Sequence, residues 1–339
     1  MAKPRVVITQ GDPAGVGPEI IAKTFMDAEV RARATPIVIG DASTMRRAVG
    51  LLGLAVQVVE ISAPEEADAL ADSALPVIDL GLGLDEAVMD AGAPTAAAGQ
   101  LSAQAIHRSI EIVMAGRADA IASAPVNKVA LHAAGYLYPG QTEVFAEGVG
   151  TPKGQYHTML IGGDMRVSLV TSHMSLRNAI DNITKERVRR IAHQAVATLH
   201  DRFGIDAPSV GVAGLNPHAG DGGLFGDEEI REIQPAIEEL RQTGVKITDP
   251  RPADTLFWEA EKGQYDVVLG MYHDQGVIPL KRYGYVTLIA GIPIIRTTCG
   301  HGTAYDIAWK GAANHDLFRR AFLLAAELAA KGGSRSKAE

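Results

Sequence analysis

Three histidines close short apolar runs in this chain: Thr171-Ser172-His173, Asn216-Pro217-His218-Ala219-Gly220 and Tyr272-His273-Asp274-Gln275-Gly276. A neutral imidazole is the commonest side-chain ligand of a divalent ion, and three of them leave coordination positions open for a substrate. The separations, 45 and 55 residues, exclude a local finger. Such ligands meet only if the strands before them lie side by side, with their carboxyl ends opening on a common crevice. The plainer reading is surface histidine: the chain has 10, and His107, His193 and His200 fall in helical stretches where solvation or capping suffices. With no helical His-x-x-x-His pair, spacing alone leaves both readings open. Asp274, beside His273, is either a further ligand or a carboxylate that orients an imidazole.

Acid and base candidates are Asp254, in a loop before a short apolar segment, and Lys128, beyond the apolar run ending near Ser123. Each has a dull alternative: Asp254 as the cap of a helix starting at Thr255, Lys128 as a solvated cation. The Gly-x-Gly-x-x-Gly of a Rossmann mononucleotide fold is absent after the first apolar run, which leads instead into Gln10-Gly11-Asp12-Pro13-Ala14-Gly15-Val16-Gly17-Pro18-Glu19. Pro18 suits a first helical turn and the glycines permit close backbone approach, so either Asp12 caps that helix or the helix amino end faces an anion.

The elements that must position these residues alternate in the α/β manner. Strand-like runs at 5–9, 36–40, 77–80 and 120–123 are separated by helical stretches from about 16, from about 42 and over the Ala-rich 95–116. Further along, strands are expected at 156–161, 166–171, 209–214 and 265–270, and helices at 185–202, 228–243 and 317–331. Gly162-Gly163-Asp164 reads as a hairpin turn, which makes the sheet mixed.

Composition narrows the function. With 339 residues, 47% of them apolar, two domains are expected. A net charge of −8 without a basic run excludes a nucleic-acid or anionic-membrane partner, and no apolar stretch is long enough to span a bilayer. The start, Met1 to Thr9, lacks the pattern of a signal peptide, and a single cysteine, Cys299, cannot form an intrachain disulfide. A cytoplasmic protein is expected, with Cys299 as a small buried hydrophobe and not a nucleophile.

Near the carboxyl end, Gly300-His301-Gly302-Thr303-Ala304-Tyr305-Asp306-Ile307-Ala308-Trp309-Lys310-Gly311-Ala312-Ala313-Asn314 looks like the adenosine-binding segment of isocitrate and isopropylmalate dehydrogenases, which bind dinucleotides without the Rossmann fingerprint. Taken with the three histidine segments, Gly11 to Glu19, Thr142-Glu143 and Pro252-Ala253-Asp254-Thr255-Leu256-Phe257, the chain from about residue 5 to 330 resembles the 4-hydroxythreonine-4-phosphate dehydrogenase family.

The resemblance implies an α/β fold with mixed sheets, in which two α/β/α domains flank a cleft. They are placed at 1–126 with 285–332 and at 127–284, before a flexible tail at 333–339. It further implies a homodimer with its active site at the interface and a divalent ion (zinc, magnesium, cobalt or nickel) on His173, His218 and His273, at least one of them donated across the two-fold. Substrate positions fall on Gln141, Thr142, Lys281, Thr287 and Arg296, and cofactor positions on Gly300, His301, Gly302, Thr303, Asp306 and Asn314. Asp306 is expected inside a helix, and the segment holds no arginine cluster, which favours NAD over NADP.

The implied reaction is NAD(P)-dependent oxidation of the 3-hydroxyl of 4-phosphooxy-L-threonine, with decarboxylation to an aminoketone phosphate. Two positions depart from the family pattern: histidine is usual where Gln141 stands and asparagine where Thr287 stands, and the segment between Lys281 and Thr287 is shortened. A paralogue acting on 4-phospho-D-threonate, 4-phospho-D-erythronate or another anionic diol is therefore the alternative, since Lys281 and Arg296 still suit an anion. Two remoter readings are an acyl-phosphate transferase of similar architecture and a non-catalytic metal- and anion-binding module.

Overall fold

The computed structural model describes residues 3–332; the tail expected at 333–339 lies outside them. The chain divides into two compact units, Met1–Lys153 with Pro293–Glu339, and Gly154–Ile292. The first unit begins with β1 (Arg5–Thr9), β2 (Thr35–Gly40), β3 (Gln57–Glu60), β4 (Ala74–Asp79) and β5 (Ala120–Ser123). The second holds β6 (His157–Gly162), β7 (Met165–Leu169), β8 (Ser209–Ala213), β9 (Lys246–Arg251), β10 (Val267–Gly270) and β11 (Val286–Ala290). The chain then returns to the first unit for β12 (Arg296–Cys299).

In the first unit the strand order is β3-β4-β2-β1-β5-β12, with every pairing parallel. Buried residues follow one another along β1, β2 and β5, which requires cover on both faces. Helices Gly17–Met26, Ala42–Leu51 and Asp316–Gly332 form one packed group and Ala96–Met114, Lys128–Ala133 and Gln141–Gly148 the other. Connections leave β1 and arrive at β5 on opposite sides, so the segments following β1, β5 and β12 share the carboxyl edge where such sheets bind ligands.

The division departs from the expected boundaries for identifiable reasons. Residues 127–153 stay with the first unit because the helix at Lys128–Ala133 presses on Gly99, where a Cβ would stand 1.9 Å from the Ala130 carbonyl oxygen. Residues 285–292 stay with the second because β11 pairs antiparallel with β6 from Val286↔Ile161 to Ala290↔His157.

In the second unit the order is β11-β6-β7-β10-β8-β9, antiparallel at β11-β6-β7 and parallel from β7 to β9, so the mixing of strand directions is confined here. Gly163, at φ +57°, makes the expected hairpin turn between β6 and β7. The core beside this hairpin includes a polar bridge: buried His157 meets Gln194 Oε1 through Nδ1 and Ser168 Oγ through Nε2, each at 3.0 Å. Burial pulls its imidazole down to about 4, so it is neutral at physiological pH.

Candidate active site

The strands that precede the three histidines are neighbours. β10, before His273, pairs in parallel with β7, before His173, and with β8, before His218. All three histidines therefore leave the same edge of the second unit. His173 and His273 are close, their ring centroids 5.5 Å apart. They line a cavity of about 250 Å³ with Ser172, Tyr272, Asp274 and Met174. His273 is not in a loop: it is the first residue of the helix His273–Lys281. Its Nδ1–H donates to Asp274 Oδ1 at 2.7 Å, which leaves the Nε2 side of the ring uncommitted to this contact.

His218 is held differently. From His218 to Gly222 five consecutive residues are left-handed, with φ of 55, 53, 82, 44 and 67°. Three of them, His218, Ala219 and Asp221, carry a Cβ, and each such residue costs on the order of 1–2 kcal/mol. Neighbouring contacts offset this strain: Glu229, buried on an irregular helical turn, accepts from the Asn216 N–H at 2.7 Å and from Asn216 Nδ2 at 2.8 Å, and Glu228 takes the amide's other hydrogen. Strain kept in place this way is characteristic of functional loops. The His218 ring is exposed, contacts Asp221 Oδ2 through Nδ1 at 3.3 Å, and stands against Phe225. Among the described residues no three His, Cys, Asp or Glu side chains converge as a metal site would need. One chain thus brings His173 and His273 together without His218.

In the first unit, segment 300–314 is not helical, contrary to the expectation for Asp306; it runs as turns, with Ala304 and Trp309 at positive φ. Long-range contacts fix it instead. Buried Glu19 accepts from the Trp309 and Gly311 N–H groups, both at 2.7 Å, and Lys23 donates to the carbonyls of Gly311 and Ala313. The Trp309 indole donates to the Pro13 carbonyl and its ring lies under Arg47. Asp12 caps no helix: it accepts from Ala14 N–H at 2.9 Å and the Tyr305 hydroxyl at 2.6 Å, and burial raises its pKa. The Thr303 carbonyl takes the Val16 N–H, and Gly15 fits against Thr303 where a Cβ would stand 2.8 Å from its oxygen. Within this cradle the His301 Nε2 is buried without a partner, Gly302 and Asp306 face solvent, and Asn314 caps the last helix through the Asp316 N–H. An orphaned donor or acceptor beside exposed backbone and a free carboxylate suits a bound adenosine.

Arg296 opens β12 and is 1% exposed. Its Nε donates to Ser123 Oγ at 3.1 Å, its Nη2 to Gln141 Oε1, and its guanidinium carbon lies 4.8 Å from the centre of the Phe145 ring. Burial pulls Arg296 down to about 9, which leaves it a cation at neutral pH, and pushes the Cys299 thiol up to about 11, so that neighbour is no counter-ion. Gln141 and Thr142 are half-buried at the start of the helix Gln141–Gly148. Lys128 is exposed at the first turn of its helix, which Asn127 caps. In the second unit Thr287 lies on β11 opposite Leu160, and Lys281 ends the helix from His273, with Nζ 5.8 Å from the Tyr285 ring centre. Asp254 is exposed in the first turn of a helix that starts at Ala253, not Thr255, and its carboxylate takes the Thr255 N–H at 2.8 Å.

Glu19, Lys23, Tyr305 and Ser123 had no role read from the sequence. Glu19 had a visible signal, an acidic residue directly after the Gly-Pro of a helix start; the others lack a local one.

The parallel sheet, the pinned carboxyl-terminal segment and the histidines on one strand edge define a mixed α/β protein that lacks the Rossmann fingerprint. The chain belongs to the family described as pyridoxal phosphate biosynthetic protein PdxA, whose model matches residues 32–325. It is 44% identical to a 4-hydroxythreonine-4-phosphate dehydrogenase of Geobacter metallireducens, over 98% of this chain and 97% of that one. It is 42% identical to a D-threonate 4-phosphate dehydrogenase of Pectobacterium atrosepticum, over 96% and 99%. The solved structure of a 4-hydroxythreonine-4-phosphate dehydrogenase from Klebsiella pneumoniae superposes with a TM-score of 0.89 at 40% identity, covering 96% of this chain and 98% of that one.

Proposed function

We propose that this chain is a metal-dependent NAD(P) oxidoreductase that oxidises the 3-hydroxyl of 4-phosphooxy-L-threonine, the product losing carbon dioxide to give an aminoketone phosphate. The observation that carries this reading is end-to-end similarity, at 44% identity, to a relative named for that substrate. A second reading, oxidation of 4-phospho-D-threonate or 4-phospho-D-erythronate, is favoured by the equally complete match to a D-threonate 4-phosphate dehydrogenase and by Gln141 in place of the usual histidine.

A divalent ion on His173, His218 and His273 would polarise the hydroxyl and steady the charge left by decarboxylation, while nicotinamide would take the hydride. Three imidazoles with oxygen ligands suit zinc and are tolerated by cobalt, nickel or magnesium. Asp274 keeps the His273 Nε2 turned to its ligand. Arg296 supplies fixed positive charge for the substrate's anionic end, with Lys281, Gln141, Thr142 and Thr287 completing recognition. Asp254 takes the hydroxyl proton and Lys128 returns one after carbon dioxide departs. The segment 300–314 holds the adenosine, and its lack of an arginine cluster favours NAD.

The protein works as a homodimer in the cytoplasm, with His218 reaching the partner's His173 and His273. Support for this comes from the separation of His218 from the other two within one chain, and from Leu224 and Phe225, large apolar side chains exposed on the same loop.

The test is a panel of 4-phosphooxy-L-threonine, 4-phospho-D-threonate, 4-phospho-D-erythronate and unphosphorylated hydroxy acids, each with NAD and NADP, with and without chelator. Chelator-sensitive nicotinamide reduction with a phosphorylated substrate is expected. Turnover of unphosphorylated acids alone, or turnover indifferent to chelator, would refute the reading.

A further inference from the structure

We propose that Ser123 and Gln141 are positioning residues that hold the Arg296 guanidinium with uncharged acceptors only, so that its charge is left for the anionic end of the substrate. The inference rests on the functional reading above for the substrate but on the first unit alone for its geometry. A buried cation normally demands a carboxylate, because desolvation without a counter-charge is expensive. Arg296 is 1% exposed, yet its side-chain hydrogen bonds among the described residues go to a hydroxyl and an amide oxygen and to no carboxylate. Its fixed contacts are the Ser123 hydroxyl, the Gln141 amide oxygen and the face of Phe145. Glu143, two residues from Gln141, acts on it only through space.

The arrangement also settles the orientation of Gln141. Arginine has no acceptor, so the amide must turn its oxygen to Nη2, and its NH₂ is left to donate elsewhere. A glutamine keeps this orientation at every pH. An imidazole at the same place could accept from Arg296 only while neutral, and would repel the guanidinium once protonated. Ser123 is set in turn by the ladder: β12 runs parallel to β5 with Thr298 opposite Ser123, and the Thr298 hydroxyl donates to the Ser123 carbonyl at 2.7 Å. Ser123 is wholly buried, so it acts on a ligand only through Arg296.

The experiment compares wild type, Gln141→Glu and Ser123→Ala by thermal unfolding with and without inorganic phosphate, and by KM and kcat for whichever substrate the panel identifies. In Gln141→Glu the new carboxylate pairs with Arg296: the Tm without ligand rises, stabilisation by phosphate is lost, and KM increases on the order of 100-fold with kcat changed far less. Ser123→Ala weakens phosphate stabilisation in the same direction, by about 10-fold in affinity, the lower end of what one hydrogen bond to a charged group contributes. An unchanged phosphate response in Gln141→Glu, or a Gln141→Glu protein that is less stable or does not fold, overturns the proposal. A normal phosphate response in Ser123→Ala overturns it independently. Because phosphate stabilisation is read without turnover, an inactive substrate panel would count against the proposed reaction while leaving this test intact.

Discussion

The two units present their site residues in opposite states. In the first, the candidate nucleotide segment is immobilised by its own unit: Glu19, Lys23 and Asp12 bind its backbone or its Tyr305, and Arg47 covers Trp309. In the second, His173 and His273 approach each other at an exposed edge, while His218 rides on a left-handed turn. On the proposed assignment, the difference teaches that the cofactor end is preorganised within one chain, whereas the metal end would need a residue from outside it. The consequence is a separation of effects: damage to the first site should appear as lost stability, damage to the second as lost metal affinity.

The largest effect should come from Glu19→Ala. It orphans the N–H groups of Trp309 and Gly311, so chemical denaturation should register a loss of about 3 kcal/mol, and KM for NAD should rise. An unchanged stability would mean the segment is held by other means, and the contrast between the units would fail.

Next comes pH. His157 is held at about 4 against its ordinary 6.5, so the unfolded chain binds the proton first as pH falls. The second unit should keep this stability in full above about pH 6.5 and lose it progressively towards pH 4, up to about 3 kcal/mol. Denaturant midpoints measured across that range check the slope, and His157→Gln should flatten it. A slope unaffected by that substitution would place the pH-sensitive group elsewhere.

His173→Ala and His273→Ala should behave in the reverse manner to Glu19→Ala. Calorimetric titration with zinc should show affinity reduced by at least about 100-fold, while metal-free stability stays within about 0.5 kcal/mol of wild type. The smallest effect belongs to Ala219→Gly. It relieves a left-handed residue at φ 53° and should raise stability by about 1 kcal/mol while loosening His218, so that zinc affinity falls several-fold. Gain of stability with undiminished affinity would show that the strain at this turn serves no ligand.

The histidine-bearing edge was legible because β7, β8 and β10 are short buried apolar runs, and a residue that follows such a run within a few positions lies near the strand's carboxyl end. Several other elements were not. Among the strands, β9 contains Pro250 and alternates poorly, β11 runs on into the apolar segment 291–295 without a clear end, and β12 is the mostly polar Arg-Thr-Thr-Cys, which does not read as a buried strand. The handedness at 218–222 depends on Asn216 meeting Glu228 and Glu229, and the non-helical form of 300–314 depends on Glu19 and Lys23; each is a contact between segments that no local pattern encodes. The role of Asp274 could be narrowed to two choices from adjacency alone, and its bond to His273 Nδ1 is the contact that an orienting carboxylate would make.

Whether the metal end is completed by a second copy is decided most directly by mixing two inactive variants, His218→Ala and His173→Ala, and allowing their subunits to exchange. In the mixed dimer one site combines intact His173 and His273 from one chain with intact His218 from the other. Metal-dependent turnover should therefore return in the mixture, in proportion to the mixed dimer formed. Mixed dimers that form and remain inactive would contradict the account.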